Sequence, residues 1–512
     1  MIVYYSQKRD NIDISFINDE GQIEVGNVNI GDDFYRLVEC DEYHPLVIPG
    51  LKSFKGSNVM KEKAHYFKNH NMNYFIDRDL KNYDAALDLA IKKLNFPNPL
   101  SFDIEVLPTD EHGYSSQEDA FNPVTTITVT DQELNSVVFT MNHPKYNTLN
   151  GINDIDRGYI NNILREQLGD YYEKHEYNYE VKFFETEYEL LSSFCENVNK
   201  YFHTNIGWNI YDYDVRYLCN RMARIGLSFA KASPRQRLQD KKVDINDNTS
   251  IEYKIPSHRI FSDYMMLFKG SQVYSSLGNY SLDGVAEEVL GLHKVSYQGN
   301  LRTLYNSDYL RYIAYALTDT ILVMLLHKKT SLLNVDLFQS YYNTMAYEMV
   351  TQNAISEALV YNQLMMENTV LLDSEHTGNQ YRPYPGGYVK DPTKKETGSA
   401  IGVDMNSLYP NGIITGGLSP DGKVDSIQVN HDGFPLTNND KKKWEEYRSQ
   451  GCALTPTGRI YDVSKETLYV RIEKRLIGER KIFKDAAADV YLNMQKKIDD
   501  EKKRRGITTS SH

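Results

Sequence analysis

One heptapeptide constrains the fold of this chain more than any other feature. Ser101-Phe102-Asp103-Ile104-Glu105-Val106-Leu107 alternates polar and apolar residues up to Val106. Successive side chains of a strand point to opposite faces, so this period of two predicts a strand with one buried side. Phe102, Ile104 and Val106 then share one face, and Asp103 and Glu105 converge on the other. A bare Asp-x-Glu pair is common at average composition, and a solvated strand face is its plainest account. Its meaning depends on what else the chain brings to the same point.

Two further acids stand in suggestive settings. Gly207-Trp208-Asn209-Ile210-Tyr211-Asp212-Tyr213-Asp214 is followed by Val215, Leu218, Cys219, Met222 and Ile225 at helical spacing, with Gly226 next. Asp214 is therefore expected at a helix start, where the helix dipole favours a carboxylate, and taken alone it reads as a cap or first-turn residue. Asp308 to Leu326 is another helical stretch, in which Asp319 lies against the apolar run Ile321 to Leu326. An unpaired ionised carboxylate is costly in such surroundings. Tyr315 stands one turn earlier on the same face. A partly exposed aspartate beside a core tyrosine is the alternative for that pair.

Length and composition bound the rest. A chain of 512 residues exceeds what one hydrophobic core supports, and about three domains of ordinary size are expected. With 41% hydrophobic and 25% charged residues it is composed like a folded globular protein. No stretch approaches the ~18 consecutive apolar residues of a membrane span, and the first residues become charged too early for a signal peptide, so a cytoplasmic protein without a membrane partner is expected. Cys40, Cys195, Cys219 and Cys452 are scattered without a CxxC pair, which argues against a disulfide framework and against zinc. The net charge of -13 gives no global pull toward nucleic acid; binding to a polynucleotide requires a local basic groove.

Along the chain, Ile2 to Tyr5, Ile12 to Ile17 and Gln22 to Val25 alternate like strands, the last two around a hairpin turn at Asn18-Asp19-Glu20-Gly21. Pro97-Asn98-Pro99 marks a boundary or strand entrance. Lys242 to Ile245 and Ile251 to Ile255 flank the polar turn Asn246 to Thr249 and predict a second hairpin. The pattern from Ser331 to about Leu372 is mostly helical and leads to Tyr384-Pro385-Gly386-Gly387-Tyr388. Lys465 to Arg505 holds 13 basic and 8 acidic residues around Ala486-Ala487-Ala488 and reads as a locally basic helix. No internal repeat is seen.

The acidic elements together resemble the 3'-5' proofreading exonuclease of family B DNA polymerases of the T4-like phage type: Phe102-Asp103-Ile104-Glu105, then N-x-x-x-(F/Y)-D over Asn209 to Asp214, then Y-x-x-x-D over Tyr315 to Asp319. The resemblance implies that Asp103, Glu105, Asp214 and Asp319 ligate two magnesium or manganese ions. Carboxylates from separate elements suit hard divalent cations, one activating water and one stabilising the leaving oxygen. Tyr315, with an ordinary pKa near 10, orients the water by hydrogen bonding rather than acting as a base. Asp212 matches no carboxylate of the family. In the T4-like enzymes a hairpin at the place of 242–255 helps move the primer end between sites; a surface decoration explains it as well.

Ile401-Gly402-Val403-Asp404-Met405-Asn406-Ser407-Leu408-Tyr409-Pro410 is similar to motif A, D-x-x-S-L-Y-P, of the same family. By that resemblance Asp404 ligates the metals of a polymerase site, two here also. Leu408 and Tyr409 belong to the nucleotide pocket, with Tyr409 excluding a 2'-hydroxyl. Gly386 and Gly387 contact template DNA where absent side chains allow close approach. Asn411 and Gly412 depart from the usual serine and isoleucine. Arg480 and Lys484, four apart on the basic helix, resemble triphosphate-binding residues of the first fingers helix.

Two further motifs of the family, K-x-x-x-N-x-x-Y-G and the D-T-D turn, do not occur in these 512 residues. The expectation is therefore the large amino-terminal subunit of a split replicative polymerase, with an amino-terminal fragment of an unsplit one as the alternative. Its partners are primer-template DNA, deoxynucleoside triphosphates and a carboxy-terminal subunit carrying the missing motifs, with a sliding clamp reached through that subunit. The implied architecture is multi-domain α/β and α+β: an α+β amino-terminal domain (1–98), an RNase H-like exonuclease (99–331), a helical return segment (332–375), a partial palm (376–466) and half of a helical fingers domain (467–512). A stand-alone 3'-5' exonuclease and a noncatalytic DNA-binding scaffold are the competing readings. Motif A and the basic helix disfavour the former, and the ordered set of acids with Tyr315 disfavours the latter.

Overall fold

The structure is a computed structural model that describes residues 2–8, 11–17, 23–29, 99–109, 113–175, 177–201, 204–246, 249–271, 273–343, 347, 352–366 and 405–504. The chain divides into two compact units, with the boundary between Ile355 and Ser356 for the described residues. In the first, β1 (Ile2–Lys8), β2 (Asn11–Ile17) and β3 (Ile23–Asn29) form an antiparallel sheet in sequence order. The three strands fall where the alternation puts them.

From Pro99 the order is β4 (Pro99–Val106), β5 (Val124–Thr130), β6 (Asn135–Met141), α1 (Asp154–Leu168), α2 (Asp170–Lys174), β7 (Asn178–Phe184), α3 (Glu187–Tyr201) and β8 (Thr204–Gly207). Then come α4 (Asp214–Arg224), β9 (Leu238–Asn246), β10 (Thr249–Pro256), β11 (Ile260–Asp263), α5 (Tyr264–Gly270), α6 (Leu282–Leu290) and α7 (Leu301–Ser307). The series ends with α8 (Tyr309–Thr330), α9 (Leu332–Tyr342) and α10 (Gln352–Met366). Six strands form a mixed sheet in the order β11-β8-β4-β5-β6-β7. β4, β5 and β6 pair antiparallel, while β8 runs parallel to both β4 and β11, and β7 parallel to β6. A mixed sheet with helices on its faces fits the RNase H-like expectation. β9 and β10 pair as the expected antiparallel hairpin.

The two faces of β4 meet different surroundings, as its alternation requires. Phe102, Ile104 and Val106 enter a core with Leu190, Leu191 and Phe194 of α3 and Val215 and Leu218 of α4. The Phe102 ring meets Phe261 edge-on at 6.3 Å between centroids. Fully burying side chains of this size contributes roughly 1.5–3 kcal/mol each, which fixes the strand's register. α8 packs on β4, β5 and β6. Its contact with the sheet is partly made of hydroxyls. Tyr312 donates to Thr126 at 2.9 Å, the Tyr309 and Thr140 hydroxyls lie 3.0 Å apart, and those of Thr130 and Thr320 lie 2.7 Å apart. A buried hydroxyl without a partner costs more than a pair gains, so these bonds fix where α8 lies along the sheet.

α8 is long and apolar enough to cross a bilayer by length and composition, but 83% of its most apolar window is buried within the protein, as in a core helix. Among the described residues no other helix meets that measure.

The second unit contains α11 (Leu408–Gly416), β12 (Lys423–Ser426), α12 (Asn438–Ser449), β13 (Cys452–Leu454), β14 (Arg459–Asp462) and α13 (Leu468–Arg504). β14 pairs antiparallel with β12 on one side and β13 on the other. Thr437 and Asp440 close a reciprocal capping box at the start of α12, satisfying amides that the first helical turn leaves over. α11 packs on α13. Leu468, Val470 and Ile472 are buried at the start of α13, whereas Ile482, Val490, Tyr491, Leu492, Met494 and Ile498 are exposed.

Candidate metal centre

β4 delivers Asp103 and Glu105 to the face that α8 covers, and α8 delivers Asp319 to meet them. One oxygen from each of the three carboxylates lies within 4.8 Å of the others. Glu105 and Asp319 are buried, and Asp103 is half-buried. Asp214 is the first residue of α4, as its sequence setting implies, and its Oδ1 accepts the backbone N–H of Ile104 at 3.1 Å. That bond ties it to the residue between the other two acids of β4. Three of the four expected exonuclease acids therefore cluster and Asp214 stands beside them on the Ile104 amide, with Tyr315 one turn before Asp319 on α8. Asp212 is turned to Arg216 at 3.8 Å, in keeping with a peripheral role.

Three carboxylates this close, with Asp214 near them, are costly to keep charged together without a compensating cation. Burial, the repulsion of Asp319 and the partly opposing attraction of Lys294 leave the Asp103 carboxyl raised to about 7. Burial, then the repulsion of Asp103 and Asp319, holds Glu105 well above the usual carboxylate range against the pull of Lys294, and burial with Asp103 does so for Asp214. Burial also raises Asp319, although Lys294 opposes the shift. Burial and then Asp319 push the Tyr315 phenol far above its ordinary value, so its proton stays in place.

Sequence reasoning missed Lys294. Its Nζ lies 2.5 Å from Asp319 Oδ2 and donates to the Tyr315 hydroxyl at 3.1 Å. Burial works against its charge, but Asp319 and Asp103 outweigh that and raise its pKa. Asp283 at the start of α6 accepts the backbone N–H of Lys294 at 2.7 Å and fixes the turn that carries it. Nothing in Leu292-His293-Lys294-Val295 distinguishes this lysine from a surface one; only the fold reveals its partner.

The donor set fits divalent cations. Glu105 Oε1 and Asp319 Oδ1 are buried with no hydrogen-bond partner. Orphaned carboxylate oxygens facing other carboxylates are costly unless a hard cation takes them as ligands.

Of the expected polymerase residues, Asp404, Gly386 and Gly387 lie outside the described residues. Leu408 and Tyr409 open α11 and are 54% and 79% exposed. Arg480 and Lys484 are exposed on α13, one turn apart. The described residues bring no second carboxylate cluster to them.

Similarity to known proteins agrees with the site. Residues 51–285 match DNA polymerase family B, exonuclease domain. The chain is 29% identical over 225 residues to the DNA-directed DNA polymerase of Escherichia phage RB69, a segment covering 44% of this chain and 25% of that protein. It is 26% identical over 281 residues to the DNA-directed DNA polymerase of Enterobacteria phage T4, covering 54% of this chain and 30% of that protein. The matched segments thus span less than a third of either relative. Residues 51–285 thus carry the likeness to the exonuclease region of family B DNA polymerases of the T4-like phage type.

Proposed function

We propose that this chain is a 3'-5' exonuclease acting on single-stranded or frayed DNA, and that it contributes half of a nucleotidyl-transfer site. The observation that carries the first part is the buried cluster of Asp103, Glu105 and Asp319 with two orphaned carboxylate oxygens. These three and Asp214 would hold two magnesium or manganese ions. Such ions, when bound, supply an activated water and stabilise the oxygen that leaves. The chain's own groups do the rest. Tyr315 keeps its proton and orients water through its hydroxyl, acting as a hydrogen-bond partner and not as a base. Lys294 fixes that hydroxyl and brings a positive charge beside Asp319.

The second part rests on the motif A resemblance at Asp404 and on the basic residues Arg480 and Lys484 of α13. Deoxynucleoside triphosphates and primer-template DNA are the ligands this reading requires. The two absent motifs would be supplied by another polypeptide, whose helix would pack on Arg480 to Arg505 and cover Ile482, Phe483 and Leu492. The domain limits 1–98, 99–331, 332–375, 376–466 and 467–512 belong to this proposal too.

The test is digestion of a 5'-labelled single strand with magnesium or manganese. Stepwise shortening from the 3' end is expected, weakening as salt rises because backbone contacts release counterions. Absence of metal-dependent shortening by the folded chain would refute the exonuclease reading.

A further inference from the structure

Asp214, which opens α4, is the acid whose placement depends on the irregular backbone just before it. Asp103 and Glu105 stand on a central strand and Asp319 within a long helix. Asp214 follows a loop that leaves β8 at Gly207, and that loop has little freedom. A Cβ on Gly207 would meet Ile210 Cγ2 at 2.3 Å and the Phe102 carbonyl oxygen at 2.7 Å. Asn209 has φ 61°, the left-handed region that asparagine tolerates better than most residues.

One carboxylate holds two of the loop's backbone amides. Asp263 ends β11 and pairs in register with Gly207 of β8, so its side chain stands at the start of the loop. It is buried. Its Oδ1 accepts the backbone N–H of Asn209 at 3.1 Å, and its Oδ2 accepts that of Tyr211 at 3.1 Å. The same Oδ1 caps α5, taking the N–H groups of Met265 at 3.0 Å and Met266 at 3.3 Å. The Tyr211 hydroxyl adds a bond to the Phe261 carbonyl, also on β11. Capping a short helix needs one oxygen, as serine or asparagine supplies elsewhere; the second oxygen of Asp263 is engaged only by the loop.

We propose that Asp263 is a positioning residue for the exonuclease centre: by clamping the Asn209 and Tyr211 amides it sets the start of α4 and so aims Asp214 at the Asp103–Glu105 face. This rests on the exonuclease reading above and adds a residue that touches neither substrate nor metal. Groups that orient a ligand commonly change metal affinity about 10- to 100-fold when removed. The effect should fall on the metal that depends on Asp214 and spare the one held by Asp103, Glu105 and Asp319.

The test is manganese binding, followed by electron paramagnetic resonance, in the full chain. Asp263→Ser keeps a hydroxyl to cap α5 and removes the reach to the loop. It should weaken the looser manganese site about 10-fold or more and leave the tighter one unchanged. The amides of Asn209 and Tyr211 should exchange faster with solvent. In an Asp214→Ala background the same change should have no further effect on binding, which a general loss of stability would not reproduce. If Asp263→Ser does not fold, Asp263→Asn, which preserves shape and replaces one oxygen with an N–H donor, carries the same expectation. Unchanged manganese binding in a folded variant, or equal weakening of both sites, overturns the inference while leaving the exonuclease reading intact. Failure of the unsubstituted chain to bind manganese overturns both.

Discussion

The ammonium of Lys294 lies 2.5 Å from the Asp319 carboxylate and so meets, from within the protein, part of the charge that Asp103 and Glu105 add to the same site. Removing it should leave Asp319 the most poorly compensated group in the core. Lys294→Met is expected to destabilise the metal-free chain by about 2 kcal/mol, less than a fully buried pair loses because Lys294 keeps some contact with water. Saturating manganese should recover much of that loss. Urea unfolding with and without the metal measures both quantities, and equal losses in the two conditions would count against this role of the lysine.

Asp103→Ala with Glu105→Ala should abolish metal-supported digestion, since together they remove two of the clustered acids. The readout is the rate of 3' shortening by a variant shown to be folded by circular dichroism. Undiminished cleavage would mean that the site has been assigned to the wrong residues.

The raised carboxyls fix a pH dependence. Asp103 ionises near 7 in the fold against 3.8 ordinarily. The unfolded chain therefore releases this proton first as pH rises, and folded stability is lost between about pH 4 and pH 7, at no more than about 1.4 kcal/mol per pH unit for one group. Glu105, Asp214 and Asp319 shift in the same direction. Thermal unfolding of the metal-free protein should show a falling midpoint over that range, and magnesium should flatten the curve because bound cations favour the ionised acids. Asp103→Asn should make the metal-free protein more stable at pH 8 than the parent. A parent whose metal-free midpoint rises over the window would contradict the assignment.

Primer extension should require a second polypeptide. The chain alone is expected to add no nucleotide, and in the joined complex Asp404→Ala should eliminate extension while digestion continues, because the two sites draw on separate acids. Assays with the chain alone, with the partner and with the variant separate these cases. Robust addition by the purified chain would overturn the split-enzyme reading.

Gly207→Ala should cost about 1–3 kcal/mol, since the added methyl meets a backbone oxygen that cannot swing aside. The loss is read as a shift in the denaturation midpoint; a neutral substitution would show that the loop yields.

Much of this was written locally. The alternation of Phe102 to Val106 announced a two-faced strand, and the apolar spacing after Asp214 announced a helix beginning there. The hairpin of β9 and β10 followed from its turn residues. Other parts depend on partners too distant in sequence for any local pattern to show. Thr126 and Thr130 look like the solvent side of β5, yet both are fully buried because Tyr312 and Thr320, almost 200 residues away, answer their hydroxyls. Asp263 reads as an ordinary helix cap until β8 brings the Asn209 loop beside it. Lys294 carries no periodic signal, and its partner appears only once α8 is docked on the sheet.

The hydroxyl pairs that fasten α8 have a consequence for ion choice. Apolar contacts are non-directional and let a helix slide at little cost, whereas a hydrogen bond weakens as its distance and angle leave a limited range. Thr130 of β5, bonded to Thr320 beside Asp319, restrains the spacing of α8 from the sheet at the acids. A small ion with oxygens at about 2.0–2.1 Å and a larger one needing about 2.3–2.6 Å cannot be accommodated alike by walls of fixed spacing. On the exonuclease reading, threonines on the same face of the sheet as Asp103 and Glu105 would thereby bear on the size of the ion those acids prefer.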